Sequence, residues 1–194
     1  MTHSRTVPSL TRSIATGAVG FALVSLCVFA TVAFAERWMN RTFGDLGSYL
    51  AWTVLFILLG GAVFGSLVVV RWRLPRFYLL FALAFFAYAA GWMIAYFTLR
   101  DTLGEVVGSI VGSVLMAIVF AAGFRALKST VKLSAVLFVS NFLAYFLGAA
   151  IFDSLRNQTG MLLFGVVYGL LFGAGIGAVL HMVQQPQQLS ERAT

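Results

Sequence analysis

Asn141 is the only carboxamide or charged residue near the middle of any long apolar stretch of this chain. In lipid an amide that both donates and accepts can hold a bound solute or ion at the membrane midplane. It can equally tie two helices together, a bond worth under about 2 kcal/mol there. Tyr88, Tyr145 and Tyr168 group with it as hydroxyl-bearing aromatics within the apolar stretches. These four form the candidate ligand-binding set. Asp101 and Glu105 stand four residues apart, hence on one helix face, at the mouth of another stretch. They could gather cations, but Thr102-x-x-Glu105 is also the spacing of a capping box, in which both side chains satisfy orphan backbone N–H groups. Capping is the expected role.

Other chemistries are excluded by residue count and spacing. Ser109 and Ser113 with His181 invite comparison with rhomboid proteases, which pair a membrane serine with a membrane histidine. The Gly-x-Ser-Gly motif is absent, however. His181 and Ser109 also fall near opposite ends of the apolar stretches, about 20 Å or more apart at 1.5 Å per residue. His3 and His181 are the only histidines, so paired-histidine haem ligation is ruled out. Cys27 is the only cysteine, which removes disulfides and cysteine-based zinc sites within one chain. No phosphate-binding loop, HExxH or paired intramembrane carboxylate occurs. No catalytic residue, cofactor or metal is expected, and the protein is read as non-enzymatic.

The elements that must position Asn141 and the tyrosines are membrane helices. Hydrophobic residues make up 61% of 194 and charged residues only 10%, with mean hydropathy +0.96. Soluble domains carry about 25% charged residues. The formal net charge of +7 is spread in short clusters between apolar runs, so nucleic acid is not an expected partner. About 20 apolar residues cross the ~30 Å hydrocarbon core. Six stretches qualify: Ser13–Ala35, Tyr49–Val70, Phe77–Leu99, Leu103–Phe124, Leu133–Phe152 and Gly160–Val183. The expected fold is all-α, a bundle of six transmembrane helices. Ala33-Phe34-Ala35 before Glu36 resembles a signal-peptide cleavage site, but the apolar run before it exceeds the 7–15 residues of a secretory segment. It is therefore read as a span.

Charge orients the bundle. Arg5, Arg12, Arg71, Arg73, Arg76, Arg125, Lys128, Lys132 and Arg192 fall on one side with Glu191 as the sole acid. Arg37, Arg41, Arg100 and Arg156 fall on the other, among Glu36, Asp45, Asp101, Glu105 and Asp153. The positive-inside rule then places both termini in the cytoplasm, in a plasma membrane of the bacterial inner-membrane kind. Trp38 and Trp52 read as anchors at the outer interface and Trp72 at the inner one. Residues 1–12 and 184–194 are polar and are expected to be disordered, leaving 13–183 as the transmembrane domain.

Glycines recur every fourth residue at Gly165, Gly169, Gly173 and Gly177, again at Gly104, Gly108 and Gly112, and at Gly61 and Gly65. In lipid such spacing lets helix backbones approach. The glycines lie on even-numbered spans, whereas Phe81, Phe85, Phe138, Phe142 and Phe146 make the third and fifth bulky, which suggests three similar two-helix hairpins. Two roles follow as expectations. One is a small transporter or channel-like subunit for a solute, without proton or sodium coupling by intramembrane carboxylates. The other is an accessory subunit docking through its glycine faces onto a second copy or a partner membrane protein. Membrane lipids are partners in either case.

Overall fold

The structure, a computed structural model, describes residues 7–69 and 74–192, with side chains described as far as residue 185. The expected cluster Arg71-Trp72-Arg73, the first part of the expected disordered N-terminus including Arg5, and the side chains of Glu191 and Arg192 lie outside the described residues. Five helices follow in order: α1 (Leu10–Gly65), α2 (Leu74–Leu99), α3 (Asp101–Gly123), α4 (Thr130–Leu155) and α5 (Gln158–Arg192), with a 3₁₀ turn at Leu127–Ser129. No strand occurs among the described residues. All five helices are long and apolar enough to cross a membrane.

The first two apolar stretches of the sequence both fall on α1. Straight, its 56 residues would span about 84 Å. They do not run straight, because Gly44 breaks the helical dihedrals with φ 69° and ψ 174°. That region is essentially closed to any residue with a Cβ, so glycine is required there. Phe21 and Phe64 lie 43 positions apart, yet their rings stand 5.4 Å centre to centre. The N-terminal limb of α1 is thus folded back on its C-terminal limb, with Gly20 against Val63 and Gly60 against Phe21.

Local sequence explains several helix ends. Ser9 caps α1 by accepting from the Arg12 N–H at 3.3 Å. Arg156 ends α4 in the left-handed region, and Asn157 Oδ1 then accepts from the Gly160 N–H at 2.9 Å to start α5. At the head of α3 the expected capping box is absent. The helix begins at Asp101 with no side-chain cap bond, and Glu105 is used elsewhere. The expected unstructured tail also needs correction. α5 continues past Val183, and Gln184 is wholly buried. Its amide donates to the Leu67 and Leu180 carbonyls and accepts from the Val69 N–H, satisfying backbone groups that the end of α1 leaves open.

The packing forms a ring. The N-terminal limb of α1 lies on α5, α5 on α4, α4 on α3, α3 on α2, and α2 on the C-terminal limb of α1. Glycines set the tightest of these seams. Added Cβ atoms at Gly169, Gly173 and Gly177 would meet the α1 backbone at Ala22, Gly17 and Ser13. At Gly104, Gly108 and Gly112 they would meet the α2 backbone at Tyr96, Trp92 and Tyr88 within 2.8–3.2 Å. Gly61 and Gly65 face Tyr78 and Leu74. Outside the ring, Leu23, Leu79 and Ile94 are 61%, 63% and 68% exposed. Apolar exposure on this scale suits lipid rather than water.

Candidate functional site

The two ends of the ring differ in charge. Pro8, Arg12, Arg76, Arg125, Lys128, Lys132 and His181 lie toward one end, termed basic here. Glu36, Asp45, Asp101, Glu105 and Asp153 lie toward the other with four arginines, and this is the mixed-charge end. Phe21, Phe64, Phe77, Phe81 and Phe172 fill the interior toward the basic end and are at most 1% exposed. Their rings pack at 5.4–6.2 Å in tilted, stacked and edge-on pairs, geometries that favour aromatic contact.

Toward the mixed-charge end the interior is hollow. A cavity of about 330 Å³ lies between α1, α2, α4 and α5. Glu36, Tyr49, Phe152 and Met161 stand at its rim, while Phe56, Phe85, Tyr88 and Tyr168 border its deep end. Its walls are overwhelmingly aromatic, and Trp52, Trp92 and Tyr145 lie between rim and floor. No family model, curated protein or solved structure matches this chain.

At the deep end three of the four candidate residues meet. Tyr88 donates its hydroxyl proton to Asn141 Oδ1 at 2.6 Å. Tyr168 Oη lies 3.0 Å from Tyr88 Oη, and because Tyr88 has spent its only proton, Tyr168 is the donor. Tyr168 also approaches Asn141 Oδ1 at 3.4 Å. The result is a one-way chain, Tyr168 to Tyr88 to Asn141, joining α5, α2 and α4. Asn141 is fully buried and both tyrosines are 7% exposed. Among the described residues the Asn141 amide nitrogen has no partner, and neither has Trp52 Nε1. Buried donors left open are rare and call for an acceptor.

Tyr145, the fourth candidate, lies apart from this chain. It lines the cavity nearer the mouth and donates to Glu105 Oε1 at 2.7 Å. Its ring stands 5.8 Å from Trp92. Trp52, expected from the sequence near the membrane interface, forms part of the cavity wall, whereas Trp38 is 62% exposed. Trp52, Trp92, Tyr49 and Glu36 were not distinguishable in the sequence as a set, since aromatics abound in every stretch. Only their convergence on one cavity, from the two limbs of α1 and from α2, marks them.

The serine–histidine pair stays apart. His181 Nδ1 lies 2.9 Å from the Pro8 carbonyl oxygen and therefore carries the proton, leaving Nε2 to accept from Gln185 at 2.8 Å. Ser109 is next to Gly108, on the Trp92 seam, toward the other end. Among the described residues no group of three or more His, Cys, Asp or Glu is placed to hold a metal ion.

Proposed function

We propose that the protein is an integral membrane binding or carrier subunit, admitting a small, largely apolar organic solute into the aromatic cavity from the mixed-charge face. The observation carrying this reading is the cavity itself. Some 330 Å³ of space runs in from the rim at Glu36 to a polar floor at Tyr88 and Tyr168, with the packed phenylalanines beyond it. Ligand sites typically combine such apolar walls with a few convergent polar groups. A closed basic half makes a one-sided pocket, which fits a carrier in one of its states or a capture subunit better than an open channel.

The fold behind this reading has six crossings, because each limb of α1 is long enough to span the bilayer. Three hairpins then build it: the two limbs of α1, α2 with α3, and α4 with α5. The basic residues Arg12, Arg76, Arg125, Lys128 and Lys132 put the solid end in the cytoplasm of a plasma (bacterial inner) membrane, so the cavity faces outward. Without a carboxylate at mid-depth, movement of the solute is passive or driven by a partner rather than coupled to protons or sodium. The role is non-enzymatic. The Gly165–Gly177 face does not offer a docking surface, since α1 already covers it.

Cysteine accessibility tests the proposal. Ala89 lines the cavity, and Cys27 is the chain's only cysteine and is exposed on the outside of α1. In a Cys27→Ser background, Ala89→Cys should react with a membrane-impermeant maleimide added to the outer face of intact cells, and not from the inner face of inverted vesicles. Labelling from the inner face alone overturns the orientation, and protection from both faces overturns the open cavity.

A further inference from the structure

Resting on the cavity reading above, we infer that the solute is an organic cation, a quaternary or protonated amine with a compact apolar or aromatic body. The walls carry the argument. Among the described residues no lysine, arginine or histidine lines the cavity, although four arginines lie at the same end of the bundle. The one charged lining residue among them is Glu36. Among the described residues Glu36 has no ion-pair partner. An anion entering here would meet a carboxylate and the negative faces of aromatic rings. A cation would meet attraction from both.

The rings are also tuned for this. Trp92 is held by Tyr96, stacked at 4.9 Å and nearly parallel, and by Tyr145 on another side. Tyr145 gives its hydroxyl proton to Glu105, a second carboxylate one hydrogen bond behind the wall. A phenol that donates to a carboxylate gains electron density, which strengthens its attraction for a cation. Tyr49, also in the wall, stacks edge-on against Trp52 at 5.4 Å. A cation passing Glu36 would therefore be surrounded by Tyr49, Trp52, Trp92 and Tyr145. Its apolar body would extend toward Phe56 and Phe85 at the deep end. A neutral aromatic of the same shape would keep the dispersion contacts but gain nothing from the charges.

Three probes of similar shape separate charge from fit: benzyltrimethylammonium, uncharged N-benzylacetamide and benzylsulfonate. Binding to the full chain in nanodiscs is read by tryptophan fluorescence and by thermal stabilisation. Benzyltrimethylammonium should bind at least about tenfold more tightly than the neutral probe, and benzylsulfonate should not bind. Glu36→Gln, at an exposed position, should weaken only the cationic probe, by about tenfold. Trp92→Leu should weaken both the cationic and the neutral probe. Equal binding of the neutral and cationic probes, both sensitive to Trp92→Leu, overturns the cation inference while the cavity reading stands. Binding of no probe, or binding untouched by Trp92→Leu, overturns both. Ala89→Cys supplies a second measurement in the Cys27→Ser background. A trimethylammonium-bearing thiosulfonate should react with it faster than a sulfonate-bearing one, and the reverse order overturns the inference.

Discussion

The two halves of the bundle draw on the same residues and pack them in opposite ways. Toward the basic end phenylalanine rings fill the interior, and along the α1–α5 seam glycines let backbones touch there, so Gly173 lies on Gly17 and Gly177 on Ser13. Toward the mixed-charge end aromatic rings line a space instead of filling it. The seam between α1 and α5 displays the change along a single ladder. At Gly169, Gly173 and Gly177 the nearest atoms belong to the α1 backbone, but at Gly165 they belong to Phe29. Phe29 lines the cavity and stacks on Phe164 at 4.8 Å. The glycine spacing on α5 is constant. What varies is the residue opposite it, and that residue decides whether two helices close or are propped apart.

The largest effect should come from breaking the closed half. Gly173→Leu would drive a side chain into the Gly17 carbonyl and Phe21, atoms that cannot yield without separating α1 from α5. Overpacking of this severity costs about 3 kcal/mol or more. Loss of the folded fraction in detergent-mixture unfolding measures it, and a variant as stable as the parent would mean that this seam is not closed. Ala84→Leu, at a wholly buried position on α2, tests the same half more gently and should cost about 2 kcal/mol.

Changes at the polar floor come next. Asn141→Leu preserves much of the volume but removes the acceptor shared by Tyr88 and Tyr168. Interhelical hydrogen bonds in lipid are modest, so the expected loss is about 1 kcal/mol. Stability and ligand binding should part company here. A binding loss far exceeding the stability loss places Asn141 in the site, whereas equal losses reduce it to a tie between helices.

The sequence made some of this legible for physical reasons. In chains with so few polar residues, Asn141 stands out by itself, and charges sort to the two ends because lipid excludes them. Glycine spacing was readable as a pattern, yet the helix that each glycine meets was not. Asn141 and Tyr88 could be grouped as polar groups within apolar stretches, but the hydrogen bond that joins them across 53 positions could not be read. Glu105 was drawn toward capping by its local spacing, and a tertiary partner, Tyr145, won because α4 brings a hydroxyl within 2.7 Å. Gln184 looked like the start of a polar tail because its value lies in backbone groups just beyond α1, far away in sequence. A break between the first two stretches was legible from the charges between Ala35 and Tyr49, but its form was not, since a single positive φ at Gly44 reverses the chain within helical backbone.

The smallest stability effect is also the most discriminating. Ala89→Leu lies on α2 only five residues beyond Ala84, but its added atoms would enter the cavity instead of packed rings. With space present, the overpacking penalty falls away and the substitution should leave stability within about 0.5 kcal/mol of the parent. Filling the void should nevertheless exclude ligand, so cation binding drops while folding does not. If Ala89→Leu destabilises as much as Ala84→Leu, the mixed-charge half is packed like its counterpart and the contrast between the two halves fails. If it is silent in folding and disabling in binding, the hollow is what this half of the molecule is built to keep.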